Sequence, residues 1–113
     1  MRNSREFSQT ISAGTRGGTR RVVVHYDAES TWAESARVGF VVSKAVGGAV
    51  QRNRVKRRLR AIVRDTLEEL PDRSAMVVRA LPRAAESSYA QLQSDLHTAW
   101  RNARRKAISH GER

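Results

Sequence analysis

Between Arg37 and Arg64 the chain carries nine Lys or Arg residues and no Asp or Glu. The centre of that stretch reads Ala49-Val50-Gln51-Arg52-Asn53-Arg54-Val55-Lys56-Arg57-Arg58-Leu59-Arg60. Nothing inside the segment neutralises it, so it needs an external polyanion. It also keeps a helical apolar rhythm (Val55, Leu59, Ile62, Val63, Leu67, Leu70), which predicts a folded helix holding its charge in fixed geometry. That combination points to structured RNA or DNA rather than to a loose basic tail.

Stepping about 100° per residue around such a helix, Val55, Leu59, Ile62, Val63 and Leu67 share one side. Asn53, Arg57, Arg60 and Arg64 fall opposite, with Arg54 and Arg58 on one flank and Lys56 on the other. Arg52 falls beside the apolar stripe, one turn before it begins, and is expected in the exposed first turn near Gly47-Gly48. An ordinary solvated helix face would mix signs to gain i,i+4 pairs. Here Arg54/Arg58, Lys56/Arg60 and Arg60/Arg64 are all like-charged at i,i+4. Each such pair opposes the helix by a few tenths of a kcal/mol, roughly. Ligand binding explains that pattern better than stability does.

Composition narrows the partner. The net charge is +11, which favours nucleic acid, with an anionic membrane surface as the other class. No apolar run approaches the ~20 residues that span a bilayer, and the basic helix lacks the apolar aromatic face of an interfacial anchor. Met1 to Ala13 has no apolar core of a signal peptide. Without cysteine, disulfides and thiolate metal sites are excluded. These features fit a cytoplasmic protein. The whole chain, residues 1–113, reads as one RNA-binding domain, with 1–3 and 108–113 expected to fray.

Along the chain, Ser4 to Ala13 predicts a short helix, capped by Ser4, with Phe7 and Ile11 on one face and Gly14 as its stop. Gly14-Thr15-Arg16-Gly17-Gly18 reads as a flexible loop. Arg21 to Tyr26 is a strand with Val22, Val24 and Tyr26 on one face and Val23 and His25 on the other. Asp27 to Ser35 is a polar connection. Val38 to Ser43 is a strand apolar on both faces, which predicts a central place in its sheet. The basic helix, about Ala49 to Leu70, ends at Pro71, and Ala75 to Ala80 is a third strand. Ser87 or Ser88 caps the last helix, Gln91 completing a capping box with Ser88. Its apolar stripe is Tyr89, Leu92, Leu96, Ala99, Trp100 and Ala103. The order is α-β-β-α-β-α around a small mixed sheet, an α/β two-layer sandwich.

A protein nuclease needs clustered carboxylates for metal ions or an acid–base pair. The eleven acids are scattered, and Asp65, Glu68, Glu69 and Asp72 read as local charge balance. His25, His97 and His110 lie in no motif, and the glycines match no nucleotide-binding loop. The chain is therefore expected to hold no catalytic centre, no metal and no cofactor of its own.

The run Arg37-Val38-Gly39-Phe40-Val41-Val42-Ser43-Lys44, followed by Gly48-Ala49-Val50-Gln51-Arg52-Asn53-Arg54-Val55-Lys56-Arg57-Arg58-Leu59-Arg60, resembles the protein subunit of bacterial ribonuclease P. An Arg-Asn-Arg helix soon after a strand ending in Ser-Lys is that family's hallmark. Glu6-Phe7 with Gly14, Met76-Val77-Val78-Arg79-Ala80-Leu81-Pro82, and the Tyr89 to Trp100 stripe extend the resemblance over nearly the whole chain. The resemblance implies a left-handed crossover into the motif helix, although connection rules alone favour a right-handed one. It implies a protein that joins a catalytic RNA subunit and helps remove the 5′ leader of precursor tRNA. Mg²⁺ would be held by the RNA, and no protein partner is required.

Two surfaces follow from the resemblance. Arg52, Asn53 and Arg54, with Lys56, Arg57 and Arg60, match the motif helix that contacts the RNA subunit. A cleft between the first helix and the sheet would receive the single-stranded leader of precursor tRNA, with Phe7 at an aromatic position of that cleft. Ile11 and His25 stand where the family commonly has aromatics, and Lys44 is placed for a phosphate contact. Without the family, Phe7 and Ile11 read as a small core face and His25 as a surface strand residue. Tyr89 and Trp100 read as core. Arg101, Arg104, Arg105 and Lys106 read as a solvated helix end favourable to the helix dipole, or else as a peripheral RNA contact. Two other functions would use the same helix: a ribosome-associated protein binding another RNA, and a DNA-binding regulator. The second lacks a partnering helix-turn-helix, and only Asn53 and Gln51 suit base reading.

Overall fold

The computed structural model describes residues 4–30, 32–33, 35–66 and 70–111, the last three for their backbone only. Along the chain come α1 (Ser4–Ala13), β1 (Thr15–Gly18), β2 (Val22–Asp27), β3 (Arg37–Val41), a 3-10 turn (Lys44–Val46) and α2 (Ala49–Thr66). β4 (Ala75–Ala80), a second 3-10 turn (Pro82–Glu86) and α3 (Tyr89–Gly111) complete the order. The four strands lie β1-β2-β4-β3 in one mixed sheet. β1/β2 and β2/β4 are antiparallel, and β3/β4 is parallel. Parallel neighbours need a long crossover, and here α2 is that crossover.

Alternation divides the sheet's two faces. Val22, Val24 and Tyr26 of β2 and Met76, Val78 and Ala80 of β4 join one core with Val55, Leu59 and Ile62 of α2 and Leu92, Leu96, Ala99, Trp100 and Ala103 of α3. Leu59, Ile62, Leu92 and Leu96 are fully buried, worth roughly 1.5–3 kcal/mol apiece. Trp100 meets Tyr26 edge-on at 4.6 Å between ring centres. On the opposite face, Val23, His25 and Val77 are buried outside that core, and α1 packs there on β2 and β4. Leu67 lies outside the described residues; Val63 and Leu70 pack half-buried against the core.

The expected mixed α/β order is present, with three departures in detail. The loop expected at residues 14–18 contains strand β1. Gly17 allows it, because a Cβ there would run into the backbone oxygen of Ala99 and stand 2.6 Å from the Ala103 nitrogen. Thr15 Oγ1 then donates to the Ala103 carbonyl at 2.6 Å, so β1 is held by α3 as well as by β2. The strand expected at the centre, β3, is an edge strand. It is apolar on both faces because Val38 and Phe40 pack on the core while Gly39 is buried and Val41 half-buried on the other side. Tyr89, expected in the core, is 38% exposed because it opens α3 in its first turn, ahead of the part that lies on the sheet.

The capping box is present: Gln91 N donates to Ser88 Oγ at 3.1 Å, and Ser88 N donates to Gln91 Oε1 at 2.9 Å.

Candidate nucleic-acid interface

α2 starts at an abrupt bend. Gly47 has φ 152°, a conformation that favours glycine, and a Cβ there would collide with the Gln51 side chain. Gln51 Oε1 accepts from Gly48 N at 3.3 Å, and Arg52 N donates to the Gly48 carbonyl at 2.9 Å. With its buried stripe fixed to the sheet, the helix turns its charge outward.

The outward face divides by role. Asn53, Lys56, Arg57 and Arg60 line one shallow groove together with Val50, which is 75% exposed. Arg54 is exposed on the adjoining flank. Among the described residues none of these cations forms an ion pair. Arg64 differs, because Asp65 Oδ1 sits 2.9 Å from its Nε; that neighbour holds the Asp65 carboxyl below its usual range. Arg58 differs again, donating to the Ser87 carbonyl at 2.9 Å.

Arg52, expected in an exposed first turn, is half-buried, and its Nε is shut from solvent with no hydrogen-bond partner among the described residues. Its helical angle beside the apolar stripe turns it inward.

The second candidate surface lies where α1 crosses the sheet. Thr10 is fully buried there and its hydroxyl donates to the Glu6 carbonyl at 3.0 Å. Gly14 brings the helix end against β2, since a Cβ would stand 2.6 Å from both Thr10 O and Tyr26 O. Phe7 is half-buried and Ile11 38% exposed. His25 is not the surface residue its lone reading predicts: it is 5% exposed. α1 covers that side of β2, a tertiary contact that strand alternation does not register. Burial first, then the positive charges of Arg79 and Arg16, push the His25 imidazole below its ordinary pKa. Phe7, Ile11 and His25 thus belong to one helix–sheet junction. Lys44 does not share it; it is exposed in the turn after β3, two strands from β2.

Two residues that bear on this junction are not singled out by sequence pattern. Arg16 lies in a segment of loop composition, and Arg79 is one residue of an apolar strand. A lone arginine in Ala75-Met76-Val77-Val78-Arg79-Ala80 is the available signal. Among the described residues no three His, Cys, Asp or Glu side chains gather as a metal site, and no helix is long and apolar enough to cross a membrane.

The chain matches known proteins over most of its length. The family model described as ribonuclease P matches residues 1–104. A ribonuclease P protein component from Kocuria rhizophila is 52% identical over 106 residues, covering 94% of this chain and 92% of its own. One from Beutenbergia cavernae is 55% identical over 96 residues, covering 85% and 80%. An RNase P protein structure from Staphylococcus aureus has a TM-score of 0.78 at 24% identity, covering 91% of this chain and 93% of that one. One from Thermotoga maritima, in complex with 1-(4-fluorophenyl)-2-thiourea, has a TM-score of 0.71 at 24% identity, covering 85% and 92%.

Proposed function

This chain belongs to the ribonuclease P protein family, the protein component of a tRNA-processing endoribonuclease, and from that premise we propose that it binds the catalytic RNA through α2 and the 5′ leader of precursor tRNA through the α1–sheet junction. The carrying observation is the groove of Asn53, Lys56, Arg57 and Arg60, whose cations find no carboxylate among the described residues. Arginine suits the task because its planar fork makes paired hydrogen bonds to phosphate, and Asn53 adds an amide contact. The buried stripe gives these groups a rigid backing, so they meet RNA preorganised. Arg52 and Arg54 extend the contact at the helix start. Arg52 Nε, which has no partner among the described residues, gains one if the first turn closes on RNA.

At the other surface, Phe7 offers a ring on which an unpaired base stacks, and Ile11 widens the platform with a smaller apolar contact. Lys44, lying apart from α1, acts as an outlying phosphate contact. Mg²⁺ and bond cleavage belong to the RNA in this reading, and the protein's work is binding and positioning in the cytoplasm.

The test is reconstitution. The protein is mixed with a bacterial ribonuclease P RNA and a precursor tRNA at low Mg²⁺, where RNA self-repulsion is poorly screened. Cleavage at the 5′ leader junction that requires both protein and RNA is the expected result. Equal cleavage with and without protein would remove the proposed role.

A further inference from the structure

The sheet face toward α1 carries a row of basic groups that leader stacking does not use. Arg16 on β1 stands directly opposite His25 on β2. Arg79 on β4 pairs with Val23, two residues from His25 on the same face, so it is His25's diagonal neighbour. His25 is 5% exposed, and among the described residues its Nε2 has no hydrogen-bond partner; Arg79 Nε is also buried without one among them. Arg16 is exposed and Arg79 half-buried, and neither pairs with a carboxylate among the described residues. Among the described residues, the half-buried carboxylates of the elements packed here are Asp27, two residues beyond His25 on β2, and Glu6 on α1. Neither accepts a hydrogen bond from His25 Nε2.

We propose that Arg16, His25 and Arg79 form a proton-linked phosphate site, in which the two guanidiniums hold a backbone phosphate of single-stranded RNA and its charge draws one solvent proton onto His25. The site rests on the reading of the α1–sheet junction as the leader's place, and supplies that reading with a phosphate anchor and a pH dependence. In the free protein, burial and two nearby cations push the imidazole pKa down, favouring the neutral ring. A phosphate on the guanidiniums cancels their field at the ring and favours the imidazolium without having to touch it. Coupling is reciprocal, so protonation must tighten phosphate binding as much as phosphate favours protonation. Uptake of one proton lets affinity rise by at most about tenfold per pH unit between the bound and free pKa values.

The experiment follows the His25 ring by NMR in unmodified protein across pH, alone, with inorganic phosphate, and with a single-stranded RNA of leader length. In parallel, the pH dependence of RNA affinity is measured for wild type, His25→Gln and Arg79→Gln. An upward shift of the His25 pKa with RNA, together with a flattened affinity profile in both variants, supports the site. Response to inorganic phosphate as well would identify the phosphate group as sufficient. Response to phosphate but not RNA would overturn the assignment to RNA. An unmoved His25, while wild type still prefers precursor to mature tRNA and Phe7→Ala loses that preference, would overturn the site and leave the leader reading standing. Absence of the preference in wild type would remove both. The NMR arm needs no substitution, so a misfolded variant does not obscure the result.

Discussion

Arg58 donates from Nη1 to the backbone carbonyl of Ser87, 2.9 Å away, tying the middle of the basic helix to the turn that precedes α3. Ser87 is a junction: Arg21 Nε donates to its hydroxyl at 2.7 Å, and the hydroxyl donates to the Arg83 carbonyl at 2.8 Å. Arg21 also pairs with Asp95 at 3.1 Å. One arginine of the motif helix therefore belongs to the fold, while its neighbour Arg57 faces the groove. Charge on α2 is not a uniform coat.

Arg58→Ala is accordingly expected to lower folding stability by about 1–2 kcal/mol, because it removes a charge-assisted hydrogen bond to a partly buried carbonyl. Arg57→Ala should leave urea unfolding nearly unchanged and weaken RNA binding. Equal stability of the two variants by denaturant titration would show that the Ser87 contact contributes nothing.

The β1–α3 contact makes a sharper demand. Gly17→Ala places a methyl group against backbone atoms of Ala99 and Ala103, which cannot rotate away as a side chain would. Strand and helix must separate, at a cost on the order of 2–4 kcal/mol. Gly18→Ala is the control, since the nearest atom to its Cβ is Val23 Cγ2 at 3.6 Å. Thermal unfolding should show a large fall for the first and little change for the second.

This contact also marks where the sequence is legible and where it is not. Val55, Leu59 and Ile62, and Leu92, Leu96, Ala99 and Ala103, announce their helices by spacing alone, and all are buried. Ser88 and Gln91 announce their cap chemically. β1 is hidden because Thr15-Arg16-Gly17-Gly18 has loop composition, and its strand conformation depends on pairing with β2 and on a helix far along the chain. β3 misleads in the opposite sense: Val38 to Ser43 reads as central, yet helices and turns can cover an edge strand on both sides. For the interface, helical angles place Asn53, Arg57 and Arg60 correctly in one groove. They cannot reveal Arg58's bond to Ser87, nor the Arg16–His25–Arg79 row, because both depend on strand and helix neighbours set by topology.

Burial of His25 has a consequence for stability. Its pKa lies below the ordinary value of 6.5 in the folded protein, so the unfolded chain takes up a proton first as pH falls. The neutral ring's contribution is fully present above pH 6.5 and is lost progressively as pH drops toward the depressed folded value. Stability measured by denaturant titration should therefore decline below pH 6.5 in wild type and decline less in His25→Gln. The comparison is made without phosphate or sulfate in the buffer, because a bound anion favours the protonated ring. An identical decline in both proteins would show that His25 titrates normally.

The two proposed RNA surfaces should separate by mutation. Arg57→Ala with Arg60→Ala removes two groove cations that no described carboxylate holds, so folding should be spared and assembly with the RNA subunit weakened for every substrate. For every phosphate that the double variant no longer neutralises, the slope of log affinity against log salt should also fall by about one unit. Arg52→Ala should weaken assembly too, but with some loss of stability, because that side chain is half-buried. Phe7→Ala acts on the other surface: assembly should persist, while preference for precursor over mature tRNA falls, since only the precursor carries the leader. Loss of one stacking ring corresponds to roughly 1–3 kcal/mol, about five- to more than a hundredfold in affinity. Phe7 is half-buried, so circular dichroism and unfolding must first show that α1 remains docked. A folded Phe7→Ala protein that keeps its full precursor preference would return Phe7 to a packing role and move the leader away from α1. Arg57 and Arg60 would keep their assignment, because their loss is read in assembly rather than in leader discrimination.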